Sequence, residues 1–383
     1  MTGALFGYNL LWSAILTFPL MVSLQIMCGR LGMVTGRGLA GVVRRRYSRW
    51  VLWSACSLLV IANVFNIAAD LGGMGAATEM LTGVSSVVWT PIFAAVIVGF
   101  LFYSSYRQIA RIFKWITLVL LAYVVTAFFA GVNWKQALAA TFLPHPVWSR
   151  EYLEVLVGIL GTTISPYLFF WQASQEVEEE KAEGKNLAQR RGASNEDLRR
   201  LRVDVLTGMF ASNFIMYFII LTTAATLHAH GLTRIDTARA AATALRPLAG
   251  DLAYLLFTLG LVGTGMLGVP VLAGSCAYAI SEAAAWRGSL DTKPRRAKYF
   301  YGVIAAAMSI GLAINWMGLD AVKMLFWSAV LNGLLAPPLI LLIVLLTSDR
   351  TVMGDRVNST ALRIMGWLSF AIMAAAAVAM LIP

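Results

Sequence analysis

The sequence predicts an all-α membrane protein that crosses the bilayer several times. Of its 383 residues, 59% are hydrophobic and only 13% are charged, whereas about one quarter of the residues in a soluble domain are charged. Ten apolar runs are each long enough to span a bilayer as a helix. These runs cover residues 5–29, 51–80, 87–105, 112–131, 152–175, 203–228, 250–281, 298–315, 321–346 and 361–382.

The loop charges predict the orientation of these spans. The loops after the odd-numbered spans contain 24 Lys and Arg residues, and the alternate loops contain five. Because Lys and Arg collect in cytoplasmic loops, we expect the odd-numbered loops to be cytoplasmic. This pattern also explains the net charge of +11 without a nucleic-acid partner. It places Met1 outside the cell, near the outer end of the first span, so we expect a further span upstream of this sequence.

The fifth apolar run is interrupted near its middle by Thr162-Thr163-Ile164-Ser165-Pro166. Ser165 suits the N-cap of a second half-helix, and Pro166 suits its first position. The carbonyls of Thr162, Thr163 and Ile164 would then lack intrahelical partners and carry partial negative charge suited to a cation. A break of this kind must be buried in protein or line a cavity. The alternative interpretation is a proline kink in an ordinary span.

The second half of this run leads into acidic residues. In a regular helix, Ser165, Gln172 and Glu176 fall close to one face and form a polar path toward those acids. We predict that residues 176–202 form a charged cytoplasmic loop, with a short surface helix capped by Ser194. The alternative is a solvated loop with no role in transport.

The second span contains three polar residues, Asn63, Asn66 and Asp70. Spacings of three and four residues place them on one helix face. A carboxylate at this depth in a membrane is functional by default. The three residues could conduct a cation or a proton, or they could form a structural hydrogen-bond network.

The seventh and ninth spans contain residues that disturb helices. Five glycines in the seventh span favour close helix packing, and Pro270 predicts a bend. In the ninth span, Asn332-Gly333 and Pro337-Pro338 predict an irregular helix. Asn332 could offer an oxygen to an ion, while packing and a hinge are its competing roles.

The sequence contains no motif typical of an enzyme or a resident cofactor. Cys28, Cys56 and Cys276 lie in apolar segments without metal-ligand spacing, and buried small side chains are their expected role. There is no P-loop, nucleophile elbow or His-Glu-x-x-His motif. We therefore expect neither ATP-driven transport nor hydrolysis within the membrane.

Four stretches of the sequence resemble helices of one family of membrane proteins. The stretches are FGYNLLWSAILTFPLMVSLQIMCGRLGMVTGRGLA, AADLGG, GTTISPYLFFWQASQEVEEE and NGLLAPPLILLIVLLTSDRTVMG. In that order, they resemble the second helix with its following loop, part of the third helix, the sixth helix and the tenth helix of the Nramp (natural resistance-associated macrophage protein) divalent-metal transporters. The resemblance covers essentially the whole chain.

This resemblance implies a LeuT-like fold of two inverted repeats within one transporter domain. Residues 1–131 would be the remainder of the first repeat, residues 152–346 the second, and residues 361–382 an extra C-terminal helix. The family's first helix is broken and contains an Asp-Pro-x-x-Asn-type motif. This chain begins at the helix that would follow, which agrees with the expectation from the loop charges.

The resemblance also suggests the metal ligands. Family members usually have Met-Pro-His in the sixth helix, whereas this chain has Ser165-Pro166-Tyr167, similar to the Nramp-related magnesium transporters. Replacing a thioether by a hydroxyl favours a hard cation with oxygen ligands. The family's ligand carbonyl falls on Thr162. The acidic pair of the third helix becomes Asp70 and Gly73, so one group linked to proton movement is lost.

The predicted metal ligands are therefore Thr162, Ser165, Tyr167 and Asn332, and the predicted polar pathway consists of Asp70, Asn63, Asn66, Gln172 and Glu176. The predicted function is secondary transport of a divalent cation, Mg²⁺ or Mn²⁺, by alternating access across a bacterial-type inner membrane. The metal ion is the substrate, and the lipid bilayer and this cation are the only partners that we predict. One alternative is a proton-coupled Mn²⁺/Fe²⁺ importer. The other is a truncated, non-transporting or regulatory membrane protein.

Overall fold

The computed structural model describes residues 1–103, 115, 118–147, 149–184, 192–235 and 237–381, and every regular element in that part of the chain is a helix. The first seven α-helices are α1 (Thr2–Phe6), α2 (Trp12–Thr35), α3 (Leu39–Arg46), α4 (Arg49–Thr82), α5 (Ser86–Tyr103), α6 (Leu121–Phe129) and α7 (Trp134–Phe142). The others are α8 (Arg150–Thr163), α9 (Pro166–Ala182), α10 (Asn195–Thr226), α11 (Ala238–Ala242), α12 (Arg246–Ala249), α13 (Ala253–Ala284), α14 (Lys298–Asn315), α15 (Ala321–Ser348), α16 (Arg350–Met353) and α17 (Thr360–Leu381).

The predicted all-α membrane fold is confirmed. Among the described residues, nine helices are long and apolar enough to cross a membrane when α8 and α9 are counted together. The count rises to ten if the helices Leu118–Phe129 and Trp134–Phe142 are treated as a single span with a bend of 117° between them. This bent pair corresponds to the predicted span 112–131, whose first residues lie partly outside the described part of the chain.

The first span begins later than predicted. Residues 5–29 were expected to be one helix, but α1 ends at Phe6 and α2 runs from Trp12 to Thr35. Gly7 separates them with a φ of 57°, a backbone conformation that glycine adopts without the steric cost of a Cβ. The apolar run therefore contains a turn that hydropathy alone does not reveal.

The charged segment 176–202 is not the loop that we predicted. Helix α9 continues through its acidic residues to Ala182, and α10 begins at Asn195. Ser194 caps α10 as expected, in a capping box with Asp197. However, α10 continues without interruption into the next span, so there is no separate surface helix. Residues 185–191 lie outside the described part.

Most prolines within the spans do not break their helices. Pro270 lies inside the continuous helix α13, and Pro337 and Pro338 lie inside the continuous α15. The predicted irregularity at Asn332-Gly333 is therefore wrong, because residues 321–348 form a single helix. Neighbouring helices allow proline to remain within a membrane helix. Pro166 differs from these prolines because it starts a helix.

Two glycines allow α8 and α15 to cross at very short distance. A Cβ at Gly161 would overlap the backbone of Ala329 and Gly333, and a Cβ at Gly333 would overlap the backbone of Val157. Helix α15 also packs against α4, which in turn packs against α13 and α14. The crossing of Gly161 and Gly333 thus fixes α8 against the central helices.

We expect Gly161→Ala to destabilise the protein by about 1–3 kcal/mol, because overpacking forces the backbone of α15 to move. The thermal unfolding midpoint in detergent would measure this loss. Gly302→Ala in α14 is a matched control, since no atom of another described helix or loop lies within 4 Å of the added Cβ. An equal unfolding midpoint for the two variants would contradict the tight crossing.

Candidate functional site at the helix break

The break predicted in the fifth apolar run is present. Helix α8 ends at Thr163 and α9 begins at Pro166. Between them, Ile164 has φ −106° and ψ 65°, and Ser165 has φ −82° and ψ 127°. Proline has no N–H to continue the hydrogen-bond ladder of α8, and its fixed φ suits the first turn of α9.

Ser165 occupies the N-cap position but does not cap α9 with its side chain. Its hydroxyl instead donates to the carbonyl oxygens of Gly161 at 2.9 Å and Thr162 at 2.8 Å. This part of the prediction was wrong, because a serine hydroxyl can also satisfy the preceding turn. Ser165 is 2% exposed, and its oxygen accepts no hydrogen bond from any residue that the structure describes.

The carbonyls of Thr162 and Ile164, both predicted to lack intrahelical partners, differ in the structure. The oxygen of Thr162 already accepts the Ser165 hydroxyl. The oxygen of Ile164, by contrast, accepts no hydrogen bond within the described ranges. A carbonyl without a donor at a helix C-terminus carries partial negative charge. Ile164 and Ser165 therefore each offer an oxygen at the break.

Thr162 lines a cavity of about 330 Å³ beside the break. Its hydroxyl donates to the Gly158 carbonyl at 2.9 Å. The cavity is mostly apolar, and Gly73 of α4, Leu261 of α13 and Ala329 of α15 contribute to its wall. The first half-helix thus faces an open space that α4, α13 and α15 also line.

Tyr167 lies on the other side of the break. It is partly buried and packs against two hydrophobic clusters, one centred on α2 and α15 and one on α4 and α13. Its carbonyl accepts the hydroxyl of Ser275 of α13 at 3.1 Å. The backbone of Tyr167 therefore joins α9 to α13.

Asn332 and Asn66 form a reciprocal amide pair. Asn66 Nδ2 donates to Asn332 Oδ1 at 3.0 Å, and Asn332 Nδ2 donates to Asn66 Oδ1 at 3.1 Å. Asn332 is 3% exposed. Because each amide oxygen already has a donor, the pair stabilises the contact of α4 with α15. Asn332 adjoins Gly333, so this contact lies beside the crossing with α8.

Asn63 and Asp70 point toward α13 instead of α15. Asn63 Nδ2 donates to the Leu272 carbonyl at 2.9 Å, and its Oδ1 is buried without a partner among the described residues. Asp70 Oδ2 lies 3.6 Å from the position of a Cβ at Gly268. Asn63 and Asp70 therefore share one face of α4, while Asn66 contacts a different helix.

Asp70 has neither a hydrogen bond nor an ion pair with any residue in the described ranges. It is partly buried. A carboxylate at membrane depth normally pairs with another group or faces a water-filled cavity. The position of Asp70 is thus compatible with the predicted polar pathway.

Gln172 and Glu176 are paired at the acidic end of α9. Gln172 Nε2 donates to Glu176 Oε1 at 2.6 Å, and Glu176 is 7% exposed. The expected spacing of four residues on one helix face is therefore present. The predicted site residues occupy three places: the break, the contacts of α4, and this pair.

Glu282 is a buried contact that the sequence analysis did not single out. It ends α13 and accepts hydrogen bonds from the backbone N–H of Gly41 in α3 and the hydroxyl of Ser174 in α9, both at 3.0 Å. The available signal was a carboxylate at the end of an apolar run. Its partners Gly41 and Ser174 are distant in the sequence, so this signal alone does not indicate the contact.

Potential metal ligands at the break are oxygen atoms. Across the described ranges, no group of three or more His, Cys, Asp or Glu residues is close enough together to hold a metal ion. His228 and His230 instead hydrogen-bond the carbonyls of Ala4 and Thr226. The three cysteines are buried and free, as expected.

Comparison with known proteins identifies the family of the chain and finds structures with a similar fold. A family model described as "Natural resistance-associated macrophage protein-like" matches residues 1–383. The divalent metal cation transporter MntH 1 of Pseudomonas aeruginosa is 29% identical, over 98% of this chain and 84% of that protein. A crystal structure of the Eremococcus coleocola manganese transporter is similar with a TM-score of 0.74 and 18% identity, covering 98% of this chain and 80% of that one.

Two further solved structures, of MhsT and Mhp1, have a similar fold. MhsT in complex with L-phenylalanine has a TM-score of 0.59 at 13% identity, covering 98% of this chain and 95% of its own. Mhp1 in an inward-facing conformation has a TM-score of 0.56 at 17% identity, covering 97% and 83%. These similarities confirm the LeuT-like architecture.

The Asn66–Asn332 pair can be tested by a double-mutant cycle. We expect Asn332→Leu to lower stability, because it leaves the Asn66 amide unsatisfied. The double variant Asn66→Leu/Asn332→Leu should recover part of the loss, with a coupling of about 1–2 kcal/mol. Thermal unfolding of the four proteins would measure the coupling. Strictly additive effects would show that the two amides do not interact.

Proposed function

Since the chain belongs to the natural resistance-associated macrophage protein (Nramp) family, we propose that it carries a divalent metal cation across the membrane by secondary, alternating-access transport. The observation that carries this proposal is the break between α8 and α9. The Ile164 carbonyl and the Ser165 hydroxyl oxygen there accept no hydrogen bond from a described residue, and Thr162, two residues before Ile164, lines a cavity. Broken helices of this kind coordinate ions in secondary transporters.

The chemistry of the break favours a hard cation. Hydroxyl and carbonyl oxygens suit Mg²⁺ and Mn²⁺ better than softer transition metals, which prefer sulfur ligands. The relatives named for divalent metal cations and for manganese support the same substrate class. We therefore propose Mn²⁺ and Mg²⁺ as the candidate substrates, with Ser165 and the Ile164 carbonyl as ligands and with Thr162 lining the approach.

A second possibility is that cation uptake is coupled to protons. Asp70 favours it, because this carboxylate lies within a span and has no hydrogen bond or ion pair among the described residues. Intramembrane carboxylates serve as proton relays in pumps and transporters. Coupling would require Asp70 to bind and release a proton as the cation moves.

Transport can be measured as Mn²⁺ and Mg²⁺ uptake into liposomes containing the purified protein. We expect uptake by the native protein and a decrease of about tenfold in Ser165→Ala, equivalent to ~1.4 kcal/mol, because this variant loses an oxygen at the break. Ser369→Ala is the matched control. Its hydroxyl is buried and likewise bonds a carbonyl four residues earlier, in α17. The transport proposal would be contradicted if the uptake of both cations were no greater than in empty liposomes.

The Ser165→Met variant tests the ligand role directly. A thioether in place of the hydroxyl should tighten Cd²⁺ and Mn²⁺ binding relative to Mg²⁺, because sulfur prefers softer metals. Titration calorimetry of the three ions would measure the change. An unchanged preference, in a variant that still folds, would remove Ser165 from the cation site.

Proton coupling can be tested with a pH indicator trapped inside the liposomes. If Asp70 moves a proton with each transport cycle, Mn²⁺ uptake should acidify the interior, and Asp70→Asn should abolish that acidification. Uptake of Mg²⁺ or Mn²⁺ with no change in internal pH would show that transport is not proton-coupled.

A further inference from the structure

A second cavity, of about 440 Å³, lies at the opposite side of the break from the Thr162 cavity, where α9 and α13 end. Helix α3 and the residues after α13 complete its wall. The Lys and Arg distribution predicts that this end of the protein is cytoplasmic. The wall includes Arg44, Glu178, Lys181, Ser281, Glu282 and Arg287.

The charges on this wall are predominantly positive. Four of the lining side chains are Lys or Arg, and two are carboxylates. Glu178 is paired with Lys181, at 2.5 Å between Oε1 and Nζ. Arg44 and Arg287, by contrast, form no ion pair or hydrogen bond with any residue in the part of the chain that the structure describes. Two unpaired guanidinium groups therefore face one cavity.

The second carboxylate, Glu282, is fixed in the wall. Its two oxygens accept hydrogen bonds from the Gly41 N–H and the Ser174 hydroxyl. A Cβ at Gly38 would overlap the same carboxylate, so Glu282 is enclosed on that side. Both oxygens of Glu282 therefore have donors, and Glu282 forms no ion pair with Arg44 or Arg287.

Ser281 gives an independent indication of a ligand. It is 2% exposed and lines the cavity, and its hydroxyl has no hydrogen-bond partner among the described residues. Leaving a buried hydroxyl without a partner is unfavourable. A ligand oxygen in the cavity would provide the missing acceptor.

We propose that this cavity binds a phosphate-bearing anion, held by Arg44 and Arg287 with Ser281 as an additional hydrogen-bond donor. The planar guanidinium group of arginine matches the oxygens of phosphate in a bidentate arrangement. The excess of positive side chains disfavours a second cation in the same space. The phosphate could belong to a soluble cytoplasmic ester or to the headgroup of an anionic lipid. This site is separate from the break and stands independently of cation transport.

Pyrophosphate is a suitable probe, titrated calorimetrically into the full-length protein in nanodiscs of phosphatidylcholine at constant ionic strength. We expect saturable binding. Arg44→Gln and Arg287→Gln should each weaken it about tenfold, and Ser281→Ala about threefold, as expected for charge-assisted and neutral hydrogen bonds. Arg49→Gln is the matched control, because it removes the same charge from an arginine that is exposed and outside the cavity wall. It should change the affinity by less than about twofold.

Nanodiscs that contain phosphatidylglycerol distinguish the two sources of phosphate. Pyrophosphate binding that persists in them indicates a soluble ligand. A lipid headgroup is indicated if phosphatidylglycerol competes with pyrophosphate and if native mass spectrometry shows that retention of the lipid depends on Arg44 and Arg287. Either result supports the site. The proposal would be overturned if neither pyrophosphate nor the lipid bound to the protein. It would also be overturned if Arg49→Gln lowered the affinity as much as Arg44→Gln and Arg287→Gln do. Stabilisation by Mn²⁺ or Mg²⁺ that requires Ser281, without pyrophosphate binding, would also overturn it.

Discussion

The structure depends on how one interrupted helix satisfies its backbone inside the membrane. Lipid offers no hydrogen bonds, so an unpaired N–H or C=O there costs several kcal/mol. Pro166 removes one donor, and the hydroxyl of Ser165 compensates by binding the carbonyls of Gly161 and Thr162. The Ile164 carbonyl and the lone pairs of Ser165 remain without a partner among the described residues. The same serine thus stabilises the break and limits which oxygens a cation can reach.

The neighbouring helices hold this break in position. Gly161 and Gly333 allow α8 and α15 to touch through their backbones, and the Asn66–Asn332 pair joins α15 to α4 one residue from that crossing. Small residues and interhelical amides are what membrane helices use to associate, because lipid gives them no hydrophobic driving force. Asp70, one turn beyond Asn66, consequently lies on a helix that is fixed relative to the break.

The predicted cytoplasmic end is held together by charged and polar contacts, unlike the apolar surroundings of the break. There Glu282 joins α3, α9 and α13 through hydrogen bonds, and an excess of Lys and Arg surrounds the polar cavity beside it. Charged groups are concentrated where water and lipid headgroups are available to solvate them. The apolar cavity beside Thr162 is lined by α8 and the basic cavity beside Ser281 by α9, so the two cavities lie on opposite sides of the break and suit ligands of opposite charge.

The sequence by itself determined the membrane class, the positions of most spans and the break at Ile164-Ser165-Pro166, because hydropathy and proline act locally along the chain. It also indicated the family. Only the tertiary structure decided that the Ser165 hydroxyl turns back toward α8, that Asn332 pairs with Asn66, and that Pro337 and Pro338 remain inside a helix. Each of these depends on a partner that becomes a neighbour only when the helices pack. A side chain's hydrogen-bond choice is a competition between local and distant partners, and the sequence specifies only the local ones.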